Sequence, residues 1–185
     1  MPRRTALIWV ATSIALLIVA ACFATSKSLL EGAVAATRYS ARFSGLVLSI
    51  ALVARAARPV ALAKRKAELT LSFVAAHGVH YTTVIGRAFV EPSNNLRHSA
   101  IENLIVVLGG VGLVGLAAST ARATSRAGTR TNAVVFYILW TLLAIASASR
   151  FRTSLPSAVL LVVLVGAMLW RVGSKVAERR VAPAP

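Results

Sequence analysis

One cysteine, Cys22, and five acidic residues are all that 185 positions hold of two chemically versatile groups. A lone cysteine excludes an internal disulfide and any CxxC metal or redox motif. The acids, Glu31, Glu68, Glu91, Glu102 and Glu178, fall at or beyond the ends of apolar runs. No carboxylate therefore stands mid-run, where a proton pump or a carboxylate-based metal site would want one. No glycine-rich dinucleotide fingerprint follows a strand-like segment, so no nicotinamide or flavin fold is expected. Outside the apolar runs no stretch is long enough for a soluble catalytic domain.

Apolar residues are what the chain has in excess: 57% of it is hydrophobic, with a mean hydropathy of +0.75. The net charge of +16 would suggest nucleic acid in a soluble protein. Here the basic residues cluster at the ends of apolar runs, which is the pattern of membrane topology and not of a nucleic-acid face. The fold class expected is an all-α integral membrane protein, one transmembrane domain over 1–185 with a bundle of six helices. Their ranges are about 5–25, 41–58, 69–89, 101–120, 131–149 and 155–172, with a disordered tail at 173–185.

The first run has a lipoprotein-like box at Val19–Cys22, yet it exceeds the length of a signal core and is read as a retained helix. Ser26 to Arg42 reads as an amphipathic external connection. The second run, Phe43 to Ala54, spans only if Arg42 and Arg55 both snorkel toward the interfaces. Lys64-Arg65-Lys66 is the densest basic cluster, read as an anchor at anionic lipid headgroups. Gly109, Gly112, Gly115 and Ala118 form a small-residue stripe for close helix packing, with room for a flat ligand as the lesser reading. Of the 21 Lys and Arg, fourteen fall on the side of the termini and seven on the other. Both termini are therefore expected in the cytoplasm of a multi-pass protein of a bacterial-type inner membrane.

Leu69 to Val84 carries His77 and His80 near its middle, three residues apart and so on nearly one face of a helix. Ionisable groups in lipid are expensive and mark functional sites by default. Paired imidazoles can ligate haem iron, relay protons or bind a transition metal. The missing carboxylates and thiolates weaken the last two. The bland alternative is a pair of imidazoles hydrogen-bonded to Ser, Thr or Tyr hydroxyls. His98 reads as a loop residue, Asn132 as a helix N-cap, and Tyr137 and Trp140 as packing or interfacial aromatics.

The order Tyr39-Ser-Ala-Arg-Phe-Ser, Arg58-Pro59, the basic cluster, then Leu69-x-Leu71-x-Phe73-x-x-Ala76-His77-x-x-His80 resembles the bacterial ferric-reductase-like transmembrane domain. Leu108-Gly109-Gly110 with Ala117 to Thr120, and Phe136-Tyr137-x-x-Trp140, resemble that family's fourth and fifth helices. The superfamily includes the haem subunit of the periplasmic methionine sulfoxide reductase system. The resemblance, over about 38–150, implies six helices and one or two haem b groups between the third and fifth helices. It also implies electron passage across the membrane, to or from a redox partner protein or quinone. His77 and His80 would be the iron ligands, in an oxidoreductase component without its own flavin domain. The family's fifth-helix Leu-His-Arg motif is missing: Asn132 stands at the matching position. No His, Met, Cys or Lys follows it as far as Ser149. Met168 or His98 would have to substitute, or the haem would be five-coordinate. The alternative expectation is a haem-free, degenerate member of the fold working as a membrane partner or scaffold subunit.

Overall fold

A computed structural model describes residues 5–55, 65–91, 100–121, 126–150 and 154–181. All regular structure among them is helical, in six helices: α1 Ala6–Thr25, α2 Leu29–Ala54, α3 Lys66–Val90, α4 Ala100–Ala121, α5 Arg126–Ala148 and α6 Leu155–Val181. Three segments are long and apolar enough to cross a membrane: Ala6–Thr25, Arg130–Ala148 and Leu155–Ala177, with mean hydropathies of 2.5, 1.7 and 2.1. Val106–Ala121 within α4 is apolar but shorter.

Three elements depart from the expected boundaries, α5 by opening at Arg126, five residues before 131. α2 begins at Leu29, not near residue 41, so most of the expected external connection is helix. The cause is local. The Ser28 hydroxyl accepts the Glu31 N–H (3.2 Å), while the Glu31 carboxylate accepts the Lys27 N–H (3.0 Å), a variant of the capping box. Small residues Gly32, Ala33 and Ala36 then bury one face while polar ones stay outside. At the other end of the chain α6 runs on to Val181, well past residue 172 and into the expected disordered tail. Lys, Ala, Glu and Arg are strong helix formers, and no proline intervenes before Pro183. Residues 182–185 of that tail, residues 56–58 of the expected second helix, and Lys64 and His98 lie outside the described residues.

The helices alternate in direction, and contacts at one end of the bundle show it. There the Leu7 N–H reaches the Glu68 carboxylate (3.0 Å), Arg55 at the end of α2 reaches Thr70 (3.2 Å), and Asn132 reaches Thr120 (2.6 Å). α2 packs on α3, α3 on α4, α4 on α5, α5 on α6, and α6 returns to α2; α1 lies against α2 and α3. Leu48, Leu52, Phe73, Leu116, Phe136 and Leu164, from five different helices, fill the centre of that ring. Its outside is apolar as well: Trp9, Leu17, Val111, Val114 and Leu169 are all largely exposed. A monomer in water rarely shows apolar surface on that scale, whereas lipid asks for it.

Candidate functional site

α2 and α3 supply the polar groups of the bundle interior. Three antiparallel pairs set their register: Thr37 with Thr83, Ser40 with His80, and Ser44 with His77. The serines stand four apart and the histidines three apart, so each pair occupies one helix face and the two faces meet. Ser44 Oγ lies 2.9 Å from His77 Nδ1, and Ser40 Oγ 3.1 Å from His80 Nδ1. Each serine hydroxyl also donates to its own helix, Ser44 to the Ala41 carbonyl (2.9 Å) and Ser40 to that of Ala36 (2.6 Å). A hydroxyl has one hydrogen to give. Both imidazoles are therefore assigned as Nδ1–H donors to serine, which leaves Nε2 as the nitrogen with a lone pair.

Rings surround the pair. Phe73 stacks on His77 at 5.2 Å between centroids, His80 follows at 5.2 Å, and Tyr81 meets His77 edge-on at 5.4 Å. His77 is buried and His80 half-buried. Tyr81 turns away toward α4, where its hydroxyl donates to the Val106 carbonyl and its ring covers Gly109 and Gly110. A Cβ at Gly109 would collide with the Tyr81 hydroxyl. Further along the stripe, Gly112 faces Leu139 and Gly115 faces Val135. The glycines thus receive side chains from α3 and α5, and the space in which a flat ligand was conceivable is filled by protein.

A second polar cluster sits nearer the helix ends, and little in the residue pattern points to it. Asn132 is not an N-cap: α5 starts six residues earlier, and the Asn132 side chain is buried. Its Oδ1 accepts from Arg55, and its Nδ2 donates to Thr120 (2.6 Å) and Ser119 (3.3 Å) on α4. Arg55 does not snorkel outward. With Ser44 level with His77, its backbone is level with the first residues of α3, and its side chain reaches about a turn back into the bundle. Its guanidinium donates to Thr70 and lies 4.0 Å over the Phe136 ring. Arg55 is half-buried; Arg171 on α6 is buried and donates to the Tyr137 hydroxyl. Arg55 Nε, Arg171 Nη1 and, on α3, Arg87 Nε are buried without a hydrogen-bond partner among the described residues. Among the described residues the only ion pair is Arg87 with Glu91, far from Arg55 and Arg171. A signal existed in the sequence: arginines at both edges of apolar runs, opposite Asn132 and Tyr137. Their inward direction was not legible from it.

Comparison with protein-family models, with curated proteins and with solved structures gives no match to this chain. The ferric-reductase-like resemblance therefore rests on its own motifs. The residues themselves do not fit a haem in this arrangement. Both imidazoles come from one face of one helix, and the opposite position on α5 is Asn132, engaged by Arg55 and α4. Met168 is on α6, whose main packing partners are α2 and α5. Of two apolar grooves, one lined by Leu46, Val53 and Trp170 among others, the other by Val134, Tyr137 and Leu142, neither borders a histidine. No cluster of three or more His, Cys, Asp or Glu among the described residues is arranged to hold a metal ion.

Proposed function

We propose that this protein is a six-span subunit of a bacterial-type inner membrane, with both termini cytoplasmic. Its role is that of a non-catalytic membrane partner or scaffold, built on a degenerate ferric-reductase-like bundle that has given up haem. The observation that carries this reading is the Tyr81 ring lying over Gly109 and Gly110, beside imidazoles already bound to Ser40 and Ser44. Helix alternation and the Lys/Arg count support the topology; three apolar spans and the exposed apolar exterior support the membrane. α2 and α3 are too polar to be recognised as spans by composition, but the bundle surrounds their polar faces with apolar helices. That is how polar residues are carried in lipid.

One observation favours the haem reading instead. A metal-ligating histidine is usually oriented by a hydrogen bond from its other ring nitrogen, and both Nδ1 atoms here make one. On that reading His77 or His80 would present Nε2 to the iron of haem b. Electrons would come from a separate redox protein or quinone. A dithionite-reduced minus oxidised spectrum of membranes overproducing the protein decides between the two. The scaffold reading expects no Soret feature after porphyrin supplementation. A Soret band lost in both His77→Ala and His80→Ala would overturn it.

A further inference from the structure

α2 and α3 meet lipid on worse terms than their neighbours. At 26 and 25 residues both are long enough to span. Neither contains a stretch apolar enough to do so alone, whereas α1, α5 and α6 do. The reason is what they carry: buried hydroxyls on both helices, with His77 and His80 besides on α3. In hydrocarbon a polar group without a partner is costly, so each must find one.

Most of the hydroxyls find it on their own helix. Ser49 donates to the Gly45 carbonyl (2.9 Å), Thr70 to that of Lys66 (2.8 Å) and Ser72 to that of Glu68 (2.9 Å). Serine and threonine can turn back on the preceding turn in this way. The two imidazoles do not: the partner of each Nδ1 is a serine of α2. α3 therefore depends on α2 at two positions near the middle of its length. α1 completes the unit, since it lies against both helices and places Ala15 in the shared core.

We infer that α2 and α3 enter the membrane as one hairpin, joined at Ser40–His80 and Ser44–His77 and seated against α1. Neither helix spans until the other is beside it. The serine–histidine pairs are then an assembly contact, which makes a span of two helices that composition alone would leave outside. This inference rests on the six-span reading proposed above and is indifferent to haem, which would meet Nε2.

The test uses the full chain, with Cys22→Ser and Ser93→Cys, in spheroplasts treated with a membrane-impermeant maleimide. Position 93 follows α3 and is expected outside, so it is labelled only when α3 spans. The deciding variant moves both serines off the histidine face: Ser40→Ala and Ser44→Ala together with Ala35→Ser and Ala41→Ser. The composition of α2 is unchanged and α3 is untouched. The ratio of labelled to unlabelled chain is expected to fall about eightfold, the factor supplied by two hydrogen bonds of average strength between membrane helices. Moving Ser49 instead, by Ser49→Ala with Ala35→Ser, is expected to leave the ratio unchanged. Thr82→Leu with Gly86→Leu, added on the exposed side of α3, is expected to restore labelling by making α3 a span in its own right. An unchanged ratio in the deciding variant overturns the inference, because α3 would then enter without the serines. Failure of the two leucines to restore labelling overturns it too, because the loss would then come from misfolding after insertion. A parent that is not labelled at all removes the six-span reading and the inference together, so the two fail distinguishably.

Discussion

The two polar clusters of this bundle solve the problem of polarity in lipid in opposite ways. Around His77 and His80 every named group is neutral and small-scale: a serine hydroxyl answers each ring, a backbone carbonyl answers each serine, and aromatic rings close the rest. Around Arg55 and Arg171 the groups are cationic, and much depends on one side chain. Asn132 joins Arg55 on α2 to Ser119 and Thr120 on α4, with α5 between them. The histidine cluster is held by several modest interactions. In the arginine cluster Asn132 alone bridges Arg55 to α4, so a defect there removes one acceptor from a cation and leaves it Thr70 and the Phe136 ring.

That contrast can be broken most sharply at this bridge. Asn132→Leu is expected to destabilise the protein by about 2 kcal/mol, since it takes an acceptor from the half-buried Arg55 guanidinium and a donor from the buried Ser119 and half-buried Thr120 hydroxyls. The midpoint of SDS-induced unfolding in mixed micelles reads it; an effect near zero would mean Arg55 simply reorients to the interface. Of similar size is Gly109→Ala, whose Cβ meets the Tyr81 hydroxyl and is expected to cost about 2 kcal/mol by overpacking. Gly115→Ala serves as its partner measurement. The nearest atom there, on Val135, is 3.8 Å away, an ordinary contact, and the change is expected to be close to neutral. The smallest effects belong to the histidine cluster. Ser44→Ala is expected to cost about 0.6 kcal/mol, the average for hydrogen bonds between membrane helices. A double-mutant cycle of Ser44→Ala with His77→Ala measures the coupling directly. A coupling several times larger would show that the two clusters do not differ in kind.

How much of this was legible beforehand depended on whether the signal was local. Helix class and the placement of α1 and α4 follow from hydrophobic runs, because a lipid-facing helix announces itself residue by residue; α5 opens five residues ahead of its apolar run. α2 did not, because its first dozen residues form an amphipathic helix that composition alone reads as a connection. The Ser28–Glu31 cap was the available clue. α6 shows the complementary error: the end of an apolar run is where a span stops, not where a helix stops. The spacing of His77 and His80 put them on one face, and the serines at 40 and 44 share a face for the same reason. What brought those faces together was the antiparallel register of two helices, which no short-range pattern encodes. Asn132 meeting Arg55 depends on a separation of 77 residues, and Arg171 meeting Tyr137 on another of 34. Such contacts are products of closure of the ring, and spacing along the chain carries no trace of them.

The indole of Trp140 donates to the Leu164 carbonyl inside the bundle (3.2 Å), while Trp9 and Trp170 face outward. The molecule thus carries its own optical gauge. Brominated lipid should quench the two outer fluorophores and spare the inner one, whose emission then reports the α5–α6 seam with no label attached.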